Sequence, residues 1–383
     1  MLAHLVNDGA VYLFAALIPY YTQTLGMSYV EAGFAWTLLN LVGSVPQPFL
    51  GMVADRLEGY ALAGLGLAIV AIFLGPVGFV FNYWGILALA AVVGLGTAIC
   101  HPVAAAFTAA AGGRRRGMAM SVFSLGGNIG FTIAPLALPP LILLFGPQTS
   151  AAIVPAGLLV AVPLILVSRR IKPEGLHRTR RVIPVVRTSS RVFPMVLLVS
   201  VAVLRSWVYT ASITFLPTYL TTRGLALTAG AQLLSLMLMM GTVGMLAGGI
   251  ASDYFSPKWG TILSLGAATA LLATFFASSG IASVVALALS GLFLLWSMAV
   301  TTVMAQNLYP GNQALASGLT IGLGIGLGSV GTSITGWMID LFGITVAMSS
   351  LVLVALLAAA ILLPYREPRA ATVPEARASV AGV

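Results

Sequence analysis

The chain has 383 residues, 59% of them hydrophobic and 7% charged, with a formal charge of +9 at pH 7. A mean hydropathy of +1.04 excludes a single water-soluble globule. One cysteine, Cys100, excludes an intrachain disulfide framework and any cysteine-only metal site, and the basic residues gather between apolar stretches instead of forming the stripe that binds nucleic acid.

A bilayer core of about 30 Å takes roughly 20 apolar residues per helical crossing, and breaking the apolar runs at Gly, Pro, Asn and charge clusters predicts twelve such helices. The first six lie near 2–24, 29–54, 60–80, 84–110, 117–143 and 148–168. The opening stretch lacks a basic lead, carries Asp8 and runs past Tyr20, so it reads as a helix and not as a cleaved signal. Residues 169–192 then hold eight basic residues and one acid, a linker that is either a solvated loop or an amphipathic segment resting on anionic lipid. The second six helices lie near 193–221, 228–252, 259–279, 282–306, 313–339 and 344–363, and the tail 365–383, rich in Ala, Pro and Arg, reads as disordered. The expected fold class is an all-α membrane protein with a six-helix bundle at 1–168, a basic linker at 169–192, a second bundle at 193–364 and a tail.

Basic residues near helix ends stay on the cytoplasmic side. Arg56, Arg114, Arg115, Arg116, the linker residues, Lys258, Arg366, Arg369 and Arg377 fall in alternate loops or the tail, against Arg223 alone on the other side. Both termini and the linker are therefore predicted to be cytoplasmic, in a cytoplasmic membrane.

Shifting the sequence by 198 superposes Pro19 on Pro217, Tyr21 on Tyr219, Gly26 on Gly224, Gly43 on Gly241, Gly51 on Gly249, Asp55 on Asp253, Gly126 on Gly324 and Gly130 on Gly328 without a gap. Glycine matches alone would be weak in so Gly-rich a chain, but the Pro, Tyr and Asp matches share the same offset. Two equivalent halves joined by a basic linker predict a site near the midplane, approached from each side in turn.

Gly51, Asp55 and Arg56 close the second helix, and Gly249 and Asp253 close its counterpart. Glycine permits close helix approach, and a carboxylate at a helix end can face the positive end of a neighbouring helix. This pattern resembles the signature loop of the major facilitator superfamily, which implies a conformational latch at the cytoplasmic ends of the halves, although Gly59, Tyr60 and Ala61 stand where that family carries basic residues. The fifth helix carries Gly126-Gly-Asn-Ile-Gly130 and ends its small-residue run at Pro135; it resembles an antiporter motif, and equally suits a face that only lets helices approach. His4-Leu-Val-Asn-Asp8-Gly, His101-Pro102, Gly112-Gly-Arg114, Ala305-Gln306, Pro310-Gly311 and Ala316-Ser-Gly-Leu319 together resemble the fosmidomycin-resistance family of drug exporters. The resemblance implies a twelve-helix transporter whose helices one, four, seven and ten line a central cavity.

Ionisable groups at membrane depth are costly and are by default functional candidates. Asp8 and Arg205 fall at equivalent levels of the first and seventh helices, His4 lies one turn from Asp8 on the same face, and His101 in the fourth helix stands level with His4. An Asp8 to Arg205 ion pair, or a hydrogen bond from Asp8 to His4 or His101, would each offset the burial cost. Burial disfavours charge on Asp and His alike, whereas a neighbouring cation favours the carboxylate; such opposed effects suit a proton-coupled switch, with a permanent structural pair as the rival reading. Asp8, His4 and His101 are thus the expected proton-coupling residues, and Arg205 the expected contact for an anionic part of a substrate. Tyr12, Trp207, Thr210, Trp296, Thr301, Thr302 and Gln306 are further substrate-binding candidates, the aromatic ones equally suited to packing. Glu31 and Asp340 are expected near the outer ends of helices, in contact with solvent.

The composition therefore favours a secondary transporter over an enzyme, since three histidines, nine acids and one cysteine offer no nucleophile, metal cluster or paired acids near an interface. No phosphate-binding loop occurs, and the Gly run from Gly322 to Gly328 follows no strand. The expectation is a proton-coupled exporter of small amphiphilic or anionic compounds, monomeric and without cofactor. The alternatives are an uptake symporter for a nutrient, or a sensor that never cycles.

Overall fold

The computed structural model describes residues 1–47, 49–50, 61–168, 191–252, 254–309 and 313–366. Among these residues every regular element is helical. Helix α1 (Leu2–Ala16) yields at Leu17 and resumes over Ile18–Thr24, because Pro19 fits the opening turn of a new helical piece, where its missing N–H removes no bond. Helix α2 (Tyr29–Ser44) opens on a capping box, in which the Ser28 hydroxyl accepts from Glu31 N–H and the Glu31 carboxylate accepts from Ser28 N–H. Helix α3 (Ala61–Leu74) tightens into a 3-10 stretch at Gly75–Phe79, and α4 (Tyr83–Gly112) and α5 (Arg116–Phe145) follow. Helix α6 (Ile153–Ser168) is led in by Pro147–Ala152.

The second half repeats the scheme with α7 (Val192–Thr222), α8 (Leu227–Ala251), α9 (Pro257–Ala277), α10 (Gly280–Leu308), α11 (Gly324–Phe342) and α12 (Ile344–Ala360). Ten stretches are long and apolar enough to cross a membrane; α2 and α12 are shorter in the described residues. The boundaries fall close to those predicted except at three places, the first being α2, which ends at Ser44 with a turn at Val45 and Pro46 where the prediction ran to 54. The second is the break at Leu17. The third is α11, where Gln313–Ser317 and a π turn at Gly318–Leu323 precede the α-helix, the glycines there allowing a wider turn. Prolines such as Pro102, Pro135 and Pro217 lie inside helices, as an apolar setting with packed neighbours tolerates. Gly26 and Gly224, matched by the repeat, both adopt positive φ (64° and 85°) at the ends of equivalent helices, a conformation natural only to glycine.

Pairings within each half recur across the repeat. Helix α1 packs on α5 as α7 does on α11; α2 on α4 as α8 on α10; α3 on α4 and α6 as α9 on α10 and α12. Between the halves the main seams are α2 with α11 and α5 with α8, which exchange under the same twofold operation. The α2–α11 seam is close: a Cβ on Gly33 would lie 2.9 Å from the Thr332 carbonyl, and Thr37 Oγ1 donates to the Ser329 carbonyl at 2.5 Å. At its far end the Asp340 carboxylate accepts from the backbone N–H groups of Tyr29 (2.9 Å) and Val30 (2.8 Å), so an acid of α11 caps the positive end of α2. On the second seam the Ser235 hydroxyl donates to the Thr132 carbonyl.

Of the predicted latch, Gly249 lies on α8 with Ala299 of α10 as its neighbour, whereas Gly51, Asp55, Arg56 and Asp253 lie outside the described residues, as do most of the basic linker and the tail after Arg366.

Candidate functional site

A cavity of about 580 Å³ lies between the halves. Its wall takes residues from one end of the molecule only: His4 to Val11 from the first half of α1, Thr97 to Ala105 from the second half of α4, Phe123 to Phe131 from the first half of α5, and Leu295 to Gln306 from the second half of α10. Helix α7 contributes Arg205, Ser206, Tyr209, Thr210 and Ile213 from its middle. Because neighbouring helices run in opposite directions, this pattern puts the cavity toward the end that holds Met1, Ser168 and Arg191. The closed α2–α11 contacts around Gly33, Gly336 and Asp340 are at the other end.

Asp8 is the centre of a polar cluster on the first-half wall, itself only 8% exposed. Its Oδ2 lies 3.2 Å from His4 Nε2, and its Oδ1 lies 2.9 Å from His101 Nε2 and accepts from Asn7 Nδ2 at 3.0 Å. Helical spacing puts His4 one turn before Asp8, while His101 reaches in from α4, its ring edge-on to that of His4 at 4.9 Å. Phe123 of α5 stacks on His4 at 4.2 Å. Gly127 completes the site by having no side chain, since a Cβ there would lie 2.5 Å from His4 Nε2 and 2.6 Å from Asp8 Oδ2.

The partners assign the protons. His4 Nδ1 faces the Phe123 carbonyl at 2.8 Å, and a carbonyl only accepts, so Nδ1 carries a hydrogen. A neutral His4 would then turn a lone pair toward the Asp8 carboxylate; the contact requires one further proton, on His4 Nε2 or on Asp8. At His101 the logic runs the other way. Gln47 Nε2 donates to the Gly43 carbonyl at 2.7 Å, which orients the amide, and the same nitrogen stands 3.4 Å from His101 Nδ1, leaving Nε2 to donate to Asp8. The cluster is therefore complete with neutral His101, one carboxylate and one added proton shared between Asp8 and His4. In that state it bears no net charge, which suits a site of low dielectric. The three groups also bring potential ligand atoms within 4.8 Å of one another. The Asn7 N–H donor directed between Asp8 Oδ1 and His101 Nε2 suits a hydrogen-bonded cluster better than a bound cation.

Arg205 is 2% exposed and lines the cavity from the other half. Its Nη2 donates weakly to Ser206 Oγ at 3.5 Å, and its Nη1 has no hydrogen-bond partner among the described residues. Of the alternatives left open above, the carboxylate thus pairs with both histidines, and no Asp8 to Arg205 ion pair forms among the described residues.

Thr210, Thr302 and Gln306 line the same cavity. Tyr12, Trp207, Trp296 and Thr301 do not. Tyr12 is buried in the core; Trp207 Nε1 donates to Thr335 Oγ1 against Gly331; Trp296 lines a separate apolar groove with Trp259 and Phe293; and Thr301 Oγ1 donates back to the Ser297 carbonyl. On α5, Gly126 and Gly130 form a packing face rather than a cavity wall, their missing side chains admitting the backbone of α1 at Met1 and Gly9, and Pro135 lies farther along the same helix. Asn7, Gln47, Trp36, Gly127 and Tyr209 belong to the site and were not among the expected site residues, although Asn7 and Gly127 stand inside the His4–Gly9 and Gly126–Gly130 stretches quoted above. Those stretches were the available signal for Asn7, three residues on from His4, and for Gly127; nothing local marks Gln47, Trp36 or Tyr209.

Comparison with known proteins agrees with this architecture. Residues 1–276 match the sequence profile of the Major Facilitator Superfamily. The chain is 28% identical over 352 residues to the fosmidomycin resistance protein of Escherichia coli, covering 88% of this chain and 85% of that one. It is equally 28% identical over 358 residues to the MFS-type transporter YfnC of Bacillus subtilis, covering 91% and 87%. Its fold is similar to that of a bacterial homolog of the human lysosomal transporter Spinster in an inward-facing, occupied conformation, with a TM-score of 0.78, 17% identity and 94% of each chain covered. It is also similar to that of a D-xylose-proton symporter, with a TM-score of 0.73, 12% identity and 96% of each chain covered. With its multi-pass helices and central cavity, the chain belongs to the Major Facilitator Superfamily of membrane transporters.

Proposed function

We propose that this protein is a proton-coupled secondary exporter of small amphiphilic compounds, anionic ones included, working as a monomer in the cytoplasmic membrane by alternating access. The observation that carries the reading is the Asp8–His4–His101 cluster on the wall of the cavity between the halves, whose hydrogen-bond pattern calls for one proton between Asp8 and His4. With the termini cytoplasmic, the described state is inward-facing. Asp8 and His4 take up a proton when the cavity faces outward and release it when the cavity faces inward, and the halves rock about the α2–α11 and α5–α8 seams between the two. Relatedness to a fosmidomycin resistance protein supports the outward direction.

A second reading, uptake by proton symport, is favoured by one feature: an anion on Arg205 loaded together with a proton on the cluster leaves these groups without net charge. Flux in oriented vesicles decides between them. Accumulation in inside-out vesicles, driven by an acid interior and abolished by collapsing the pH difference, is expected for the exporter. Driven accumulation only in right-side-out vesicles with an acid exterior would establish the symporter instead.

A further inference from the structure

Two buried polar atoms on the cavity wall have no hydrogen-bond partner among the described residues, and both are donors: Arg205 Nη1 on α7 and Trp36 Nε1 on α2. A dehydrated guanidinium with only a 3.5 Å contact to a hydroxyl is far more costly than a satisfied one, and an indole N–H buried at 1% exposure adds a second unmet demand. The two residues come from opposite halves of the molecule. The same cavity wall carries the hydroxyls of Ser206, Tyr209 and Thr210 on α7 and the amides of Asn40, Asn128 and Gln306, while Val11, Leu39, Ile213, Met245, Leu295 and Met298 give it apolar surface.

We propose that the cavity is an oxyanion site: the cargo is a small organic anion whose acidic head pairs with Arg205, with a further acceptor atom meeting Trp36 and an apolar body lying against the aliphatic wall. This deepens the transport reading above and rests on the cavity described there. A guanidinium offers a planar fork of donors that suits carboxylate and phosphonate alike, so the head is assigned by its chemistry as an oxyanion. Both unmet atoms ask for an acceptor, and the Asp8 carboxylate on the same cavity wall is already engaged by His4, His101 and Asn7, so the wall favours an anionic head over an ammonium. Because Trp36 and Arg205 lie in different halves, an anion that engages both also ties the halves together at the level where they rock.

The test uses the full-length protein in an uncharged maltoside detergent and reads thermal melting against four probes sharing one ring: phenylacetate, benzylphosphonate, phenylacetamide and benzyltrimethylammonium. The two anions are expected to raise the melting temperature at millimolar concentration and the amide and cation are not; whichever anion binds tighter identifies the preferred head. Arg205→Gln should weaken anion binding by at least about tenfold, Arg205→Lys less, and Trp36→Phe, which keeps the ring and removes the donor, by a few-fold to about tenfold. Equal stabilisation by anion and amide, absence of stabilisation by either anion, or unchanged anion binding in a monodisperse Arg205→Gln protein would each overturn the oxyanion site. Asp8→Asn separates this from the transport reading, since it should leave anion binding measurable while removing proton-driven flux. Loss of the first alone sinks only the oxyanion site; persistence of the second alone sinks only proton coupling.

Discussion

At the scale of single residues, the arrangement around Asp8 depends on an absence as much as on the groups present. Gly127 leaves the space in which His4 and Asp8 meet, and its α-hydrogen side faces both. Gly127→Ala would force a methyl group into that contact, at a cost of about 1–3 kcal/mol for overpacking, so it should cut pH-driven flux by at least about tenfold while the protein remains folded. Melting temperature and flux measured on the same preparation check this; wild-type flux in a folded Gly127→Ala protein would show that the cluster does not need its observed geometry. The principal residues of this site were legible in sequence because charge is so rare in the helices: Asp8, His4, His101 and Arg205 stand out against an apolar background. Their pairing was not, since choosing the histidines over Arg205 as partners of Asp8 depends on helix rotation and on the amides of Asn7 and Gln47. Trp36 stayed hidden for the same reason. An aromatic residue in a membrane helix is usually packing, and only its unpartnered N–H in three dimensions marks it out.

At the scale of helices, Asp340 carries information that its position near a helix end concealed. Sequence placed it in contact with solvent, and it is exposed, yet its carboxylate caps α2 across the boundary between the halves. Opening that end of the molecule must break both hydrogen bonds. A carboxylate at a helix N-terminus is worth about 1 kcal/mol, so Asp340→Ala should raise the outward-open population roughly fivefold. Distance measurement between spin labels at Thr24→Cys and Thr222→Cys, both exposed at that end, reports the population directly. An unchanged distance distribution would mean that the seam is held by the Gly33 and Gly336 packing alone. The helices themselves were readable from length, hydropathy and the 198-residue repeat, and the Gly26 and Gly224 pair shows the repeat reaching down to backbone conformation. The break at Leu17 and the π turn before α11 were not, because apolar runs continue through both and hydropathy is blind to hydrogen-bond register.

At the scale of the molecule, one cavity brings the Asp8–His4–His101 cluster of the first half against Arg205 of the second, a guanidinium with no ion pair among the described residues. Neither half alone has both, so the proposed coupling requires the halves to move as units about the seams they share. The central claim is that the proton on the Asp8 cluster links that movement to the gradient. Reconstituted Asp8→Asn protein tests it most directly, by comparing exchange of substrate between equal pools with accumulation driven by a pH difference. The account predicts that exchange persists at a substantial fraction of the wild-type rate while driven accumulation disappears; driven accumulation at the wild-type level in Asp8→Asn would contradict it.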